Sequence, residues 1–463
     1  MRVFTASLLT CMCLPLLACG DNGNSGASDS DGTTQSPTNP STPTTVPPTT
    51  SETPTTSAST SSTSGDSASA TSTDTTANVS ATGTGSDTEA PKFDVGMQPD
   101  VSGGTCGGGM GGMPEFSYIW VANSAEGTIS KIDTQTMQEQ GRYIVRPDSA
   151  GSPSRTSVNL SGDVAVANRM GGVTKVYADV ADCKDTNGEP GIQTSTNNTS
   201  LPWGTEECVA WYTPFAFSTQ RPVAWSPGTL NPITCEYEEQ KLWTAGGQNS
   251  VADSLVIHRL NGETGMIEDT IPMPDVFHGY FGAYGGAVNQ AGDFWFITYD
   301  LPSTLVRVDA KTLAYEKITV PDGLCPYGFA VDSKGRPWTG SFCQASARYT
   351  PETATWDQFP VLGYGMQQDA EGRMWIADYN LPGTRAIDSE TLETLTSISL
   401  PSGSVKGISI DFYGYVWVVD MNASAYRIDP ESQEVQSYDG LVGPYTYSDM
   451  TGWGLKNVAN PQG

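Results

Sequence analysis

Imidazole chemistry has little to work with in this sequence: His258 and His278 are the only histidines in 463 residues. A general base or an activated nucleophile needs a partner group within hydrogen-bond reach. His258 follows Val256-Ile257 in an expected strand and reads as structural, and His278 precedes Gly279 in a loop without an adjoining carboxylate. The sequence holds no Ser/His/Asp constellation, no phosphate-binding glycine loop and no heme-type Cys-x-x-Cys-His.

The side chains that can do chemistry recur instead at loops. Arg155, Arg221, Tyr284, Tyr327, Tyr364 and Lys406 stand where the chain enters successive strands. Asn123, Asn168, Asp300, Asp378, Asn380, Asp420 and Asn422 stand where it leaves others. A ring of Tyr, Arg, Lys, Asn and Asp suits a polar ligand with flat or sugar-like groups. One stretch has metal chemistry. Asp185-Thr-Asn187-Gly-Glu189-Pro-Gly-Ile192 places oxygen ligands at alternate positions, like the start of a calcium loop. Pro190 stands at the usual glycine position, and Thr196 stands where a closing glutamate belongs. Asp185, Asn187 and Glu189 are the candidate ligands of a structural calcium ion.

These loops need a scaffold, and a repeated hairpin supplies it. In Cys325-Pro-Tyr-Gly-Phe-Ala-Val-Asp-Ser-Lys-Gly-Arg-Pro-Trp338, Phe329 and Val331 alternate along one strand, and Trp338 lies in the next. Asp332-Ser-Lys-Gly335 is the turn between them. Asn289 to Trp295, Asp369 to Trp375 and Asp411 to Trp417 are near-copies. Trp120, Trp243, Trp295, Trp338, Trp375 and Trp417, with Ala165 in the second copy, mark seven repeats spaced by about 40 residues, the period of propeller blades. Third strands ending as in Lys131-Ile-Asp133 or Arg307-Val-Asp309 recur too, and their aspartates read as turn formers.

The expected fold is therefore all-β: a seven-bladed β-propeller over residues 113–463. The first copy lacks an inner strand, and Tyr445 to Leu455 is left over as an extra one. That C-terminal strand is expected to complete the first blade and close the ring, leaving no open sheet edge. The spacing breaks once, between Ala165 and Trp243, which places an insertion at about 179–219.

Six cysteines follow Cys19. With Ser333 to Gly335 as the loop, Cys325 and Cys343 face each other on neighbouring strands, within disulfide reach. Cys183 with Cys208 would staple the insertion, leaving Cys106 with Cys235.

The repeat Gly-x-apolar-x-Asp-x-x-Gly-x-apolar-Trp and the loops before each inner strand resemble those of virginiamycin B lyase (streptogramin lyase), across roughly 116 to 455. The resemblance implies a seven-bladed propeller. That family eliminates across a cyclic antibiotic lactone using Mg²⁺, with histidine and glutamate on loops of the Glu-Pro-His-Gly kind. Here the matching loops read Pro326-Tyr-Gly328, Gly363-Tyr-Gly365 and Val405-Lys-Gly407, without histidine. The lyase site is not carried over, so no catalytic residue is assigned.

Ahead of the repeats, Arg2 and the apolar run Phe4 to Leu17 form a signal segment over residues 1–18. Leu16-Leu-Ala-Cys19-Gly20 resembles the lipobox of bacterial lipoproteins, which implies acylation at Cys19. Residues 19–112, rich in Ser, Thr, Pro and Gly, are expected to form a disordered stalk. The formal net charge of −28 disfavours nucleic acid and anionic membrane surfaces as partners. The expectation is a monomer in the cell envelope, tethered to a membrane through its N-terminal lipid. It would bind a polar small molecule, glycan or protein on the propeller face. The alternative is a metal-dependent lyase or hydrolase acting on a lactone or glycan.

Overall fold

The computed structural model describes residues 117–233 and 237–459. Among the described residues seven antiparallel blade sheets succeed one another along the chain, with a two-stranded ribbon of Thr229–Leu230 and Tyr237–Glu238 inside the third. Blade one has three strands, Tyr118–Asn123, Thr128–Asp133 and Glu139–Ile144. The other six have four strands each, joined in meander order. Their inner strands are Pro153–Val158, Thr219–Trp225, Ala283–Val288, Pro326–Val331, Gly363–Gln368 and Val405–Ile410. The repeat is thus the seven-bladed propeller expected from the tryptophan spacing.

Second strands explain why the sequence stacks this way. Each is covered on both faces by neighbouring blades, so runs such as Phe294–Thr298 and Val416–Asp420 are buried throughout. All six blade tryptophans are at most 1 % exposed, each removing on the order of 2 kcal/mol of apolar surface from water. The aspartates after the third strands are turn formers, as expected. Asp309 Oδ1, for example, accepts from the amides of Lys311 and Thr312, which holds its carboxyl below the usual range.

Closure of the ring takes the expected place with an unexpected form. The chain after Pro444 runs antiparallel to Tyr118–Asn123 through an isolated bridge between Asn123 and Pro444. The Tyr445 amide donates to the Ala122 carbonyl at 3.1 Å, and the Trp120 amide to the Met450 carbonyl at 2.8 Å. No continuous ladder forms, because Asp449 ends the extended run. Its carboxylate accepts from the amides of Gly452 and Leu455 and so starts a helix, Trp453–Ala459. The sequence reading had placed Trp453 and Leu455 in a strand. From blade seven, Arg427 reaches the carbonyl of Thr134 in blade one at 2.7 Å.

The insertion is shorter than expected. Val209–Thr213 is the outer strand of blade two, paired with Val173–Val176, so the inserted chain ends at Cys208. Aromatic residues had disguised that strand as part of the loop. Glu207 organises the insertion, its carboxylate accepting from the amides of Thr186, Asn187 and Gln193. Asp185 and Asn187 turn their side-chain oxygens to the amides of Gly188 and Glu189. The stretch Asp185, Asn187, Glu189 is therefore an Asn-Gly turn. Among the described residues no cluster of three His, Cys, Asp or Glu could hold a metal.

Among the described residues there are two disulfides, Cys183–Cys208 and Cys325–Cys343, with Cα separations of 4.6 and 5.3 Å. A register shift between Pro326 and Phe329 slips the pairing by one residue, yet the second bond still forms. Cys106, Cys235 and Cys19, like residues 1–116 as a whole, lie outside the described residues. Replacing Cys325 and Cys343 together by alanine is expected to cost about 3 kcal/mol. Thermal melts of the oxidised wild type and the double variant check this, and coincident melts would contradict it.

A buried charge distinguishes blade seven. In blades five and six the turn aspartate bonds the arginine four residues on, Asp332 to Arg336 Nε at 2.7 Å and Asp369 to Arg373 Nε at 2.6 Å. Asp411 has Tyr415 at that position and accepts only from Trp417 Nε1 and the amides of Tyr413 and Tyr415. Burial pushes its carboxyl up to about 6. The folded state then holds a proton that the unfolded chain has released, so stability falls as pH rises through about 6. Between about pH 5 and about pH 8 the wild type is expected to lose about 1–2 kcal/mol that Asp411→Asn does not. Parallel pH–stability curves for the two proteins would refute the assignment.

Candidate functional site

The axial ends of the inner strands break register at matching places. In blade two Pro153 faces Asn168 but Arg155 faces Ala167; in blade four Ala283 faces Thr298 but Gly285 faces Ile297. Blades three, five, six and seven have the same irregularity. An extra residue bends a strand and re-aims a side chain. Arg221, Tyr284, Tyr327, Tyr364 and Lys406 lie within these bulges, and Arg155 follows one. The glycines after them have a second cause. A Cβ on Gly365 would lie 2.6 Å from the Lys406 carbonyl oxygen, and one on Gly407 would lie 2.5 Å from that of Thr446. Neighbouring inner strands approach too closely near the axis for any side chain there.

The result is one cluster built from all seven blades. Tyr284, Tyr327, Tyr445 and Tyr447 form its buried part, with Phe281, Tyr299, Phe342, Tyr364 and Met421 packed around them. The Tyr327 and Tyr445 hydroxyls hydrogen-bond, and Tyr284 reaches the Tyr445 hydroxyl at 3.3 Å. Cations are interleaved with these rings. The Arg155 guanidinium carbon lies 3.2 Å from the centre of the Tyr447 ring and 5.3 Å from that of Tyr284. Arg221 lies 4.5 Å from Phe281 and 4.7 Å from Tyr284. Lys406 Nζ lies 3.2 Å from the Tyr364 ring centre and 4.8 Å from that of Tyr327.

Arg155 is 1 % exposed and donates to the carbonyls of Tyr447 and Tyr327 at 3.0 and 3.3 Å. No carboxylate of the described residues ion-pairs with it. Burial lowers its pKa, and the surrounding phenols oppose that shift. Above this layer the rings open to solvent: Tyr299, Phe342 and Tyr364 are half-buried, and Tyr280 and Tyr379 are exposed. The face is therefore an aromatic floor with positive charge directly beneath it.

Arg155, Arg221, Tyr284, Tyr327, Tyr364 and Lys406 come together here, whereas Asp378, Asp420 and Asp300 do not. Asp378 spends Oδ1 on the amides of Asn380 and Leu381 and pairs its other oxygen with Arg385. Asp420 accepts from the amides of Asn422, Ala423 and Ser424, and from Ser402 Oγ at 2.9 Å. Both carboxylates are buried in their own loops and hold turns. Asp300 does likewise, collecting the amides of Gly279, Tyr280, Phe281 and Gly282. His278 Nε2 is 2.8 Å from the Gln248 carbonyl, and His258 stacks on Phe215 at 4.9 Å. Both histidines lie in strand or loop packing, outside the cluster.

Tyr445 and Tyr447 were missed as site residues. The signal was available, since Pro444-Tyr445 repeats the Pro326-Tyr327 pattern at the position of blade one's absent inner strand. Phe281, Tyr299 and Phe342 carry no comparable mark.

No protein-family model and no curated protein matches the chain. Several solved structures are similar to it. Selenomethionine-substituted virginiamycin B lyase from Staphylococcus aureus shares 15 % identity, covering 62 % of this chain and 83 % of that one, with a TM-score of 0.43. A streptogramin B lyase structure shares 14 %, covering 66 % and 89 %, with a TM-score of 0.45. Dihydro-heme d1 dehydrogenase NirN in complex with DHE shares 14 %, covering 72 % and 76 %, with a TM-score of 0.44. The likeness concerns the fold.

Proposed function

We propose that this chain is a binding module of the bacterial cell envelope, exported, acylated at Cys19 and carried on the stalk of residues 19–112. The ligand sits on the loop face, over the rings of Tyr299, Phe342, Tyr364 and Tyr379. One observation carries the reading: all seven blades send a side chain to a single aromatic–cationic centre. Ring faces stack on sugar rings or flat heterocycles, and cations held against them favour an anionic substituent. The ligand class is therefore a ring-bearing anion, such as an acidic glycan.

The rival reading, a metal-dependent lyase or hydrolase on the same face, finds among the described residues no histidine in the cluster, and the nearby carboxylates of Asp300, Asp378 and Asp420 are engaged in their own loops. A glycan array holding neutral, uronate and sulfated oligosaccharides tests the proposal. Acidic glycans should be retained by the wild type and released unchanged, as judged by mass spectrometry. Retention of neutral glycans alone, or a cleaved product, would overturn it.

A further inference from the structure

The blades serve as controls for one another, and one seam differs. Trp120 Nε1 donates to the Gly162 carbonyl of the next blade at 3.1 Å, and Trp243 Nε1 donates to that of Gly292 at 3.2 Å. Trp338, Trp375 and Trp417 donate to Asp332, Asp369 and Asp411 of their own turns at 2.7–2.9 Å. Trp295 is equally buried, yet its Nε1 has no hydrogen-bond partner among the described residues. The cation beside the tryptophan follows suit. Lys131, Arg259, Arg348 and Arg427 each donate to a carbonyl of the following blade. Arg307 instead turns to Asp293 and Glu316 within blade four.

The cause lies in the next turn. Asp332 is held by Arg336 and Trp338 of its own blade, and the Ser333 amide donates to Gln368 of blade six at 2.8 Å. The turn is thereby drawn away from Trp295. A groove of about 580 Å³ opens on the side opposite the tyrosine cluster, lined by Asn289, Gln290, Trp295, Arg307, Lys334 and Glu352. The matching groove at the Trp243 seam holds about 160 Å³.

We propose that this groove is a second ligand site, for a neutral amide whose carbonyl accepts from Trp295 Nε1. Where a sister tryptophan donates across its seam, as Trp120 and Trp243 do, the acceptor is a main-chain amide carbonyl. The walls disfavour an anion: Arg307 is offset by Asp293 and Glu316, Lys334 by Glu390 at 3.0 Å, and Glu352 adds a further carboxylate. A carboxylate would find no uncompensated positive charge. The indole N–H lies under the groove floor, so the walls part on binding. A seam without these two cross-blade bonds can do so.

A peptide and an N-acetylated sugar both carry the required amide. Saturation-transfer NMR on the folded protein, with N-acetylglycinamide and N-acetylglucosamine as probes and acetate and glucose as controls, tests the site. At least one amide probe should bind and neither control should; the amide that binds names the source. Trp295→Phe should weaken binding about fivefold, the loss of one hydrogen bond. Ala291→Trp, on an exposed turn beside the groove, should abolish it, and it decides the matter if the first variant folds poorly. Absence of amide binding, equal binding of acetate or glucose, or amide binding unchanged in Ala291→Trp would each overturn the proposal.

Discussion

Deletion of residues 444–463 is expected to leave a chain that does not fold cooperatively. The segment fills the inner position of blade one and links three parts of the ring. Ser448 Oγ accepts from the Thr156 amide and donates to the Thr156 carbonyl, both in blade two. Met450 and Thr451 bond Ser409 and Ile410 of blade seven. Trp453 Nε1 donates to the Gln368 carbonyl of blade six at 2.9 Å. Tyr445, Tyr447, Met450, Trp453, Leu455 and Val458 are all buried. Their burial is worth on the order of 10 kcal/mol, comparable to the whole stability of an ordinary fold of about 5–15 kcal/mol. The deletion also leaves the Tyr118–Asn123 strand with an open edge. Circular dichroism melts test this; a sharp transition near that of the intact protein would contradict the closed ring.

Gly365→Val should be among the most damaging single substitutions at the axis. Its Cβ would meet the Lys406 carbonyl oxygen at 2.6 Å, the Ile408 amide nitrogen at 3.0 Å and Tyr447 Cβ at 3.1 Å. Two of these atoms are backbone of blade seven and cannot swing aside. Overpacking of a well-filled interior costs about 1–3 kcal/mol, and more where backbone must move. The expected loss is about 4 kcal/mol or more, with ligand binding lost alongside because Tyr364 and Lys406 flank the displaced contact. Gly403→Ala is the control, since its added Cβ meets nothing within 4 Å. Chemical denaturation of both variants decides it, and equal midpoints would refute the close-approach argument.

Much of the fold could be read from residues that repeat for a physical reason. Tryptophan recurs because every second strand is covered on both faces, and Asp-x-x-Gly recurs because each hairpin needs the same turn. Cys325 and Cys343 could be paired because the Asp332 turn brings them to within one residue of facing, close enough for the bond. The end of the insertion was hidden because Trp211, Tyr212 and Phe215 resemble loop aromatics as much as an outer strand. The helix Trp453–Ala459 escaped notice because Asp449, its capping residue, lies within a run that otherwise alternates like a strand.

The site was legible in part for the same reasons. Arg221, Tyr284, Tyr327, Tyr364 and Lys406 share one bulge position per blade, with Arg155 one residue beyond it, and that position put them on one axis. Asp378 and Asp420 share a position too, but one where local amides take one oxygen and a side chain, Arg385 or Ser402, takes the other. Sequence shows that a carboxylate is present in a loop, not how many backbone amides already surround it.

The binding claim turns on Lys406 and Tyr364. The most direct measurement is calorimetric titration of the acidic oligosaccharide best retained on the array into wild type, Tyr364→Ala and Lys406→Met. The wild type should bind it, and each variant should bind at least about tenfold more weakly, about 1.4 kcal/mol, while keeping the wild-type melting transition. Equal affinity in all three proteins would contradict a ligand site at the tyrosine–cation centre.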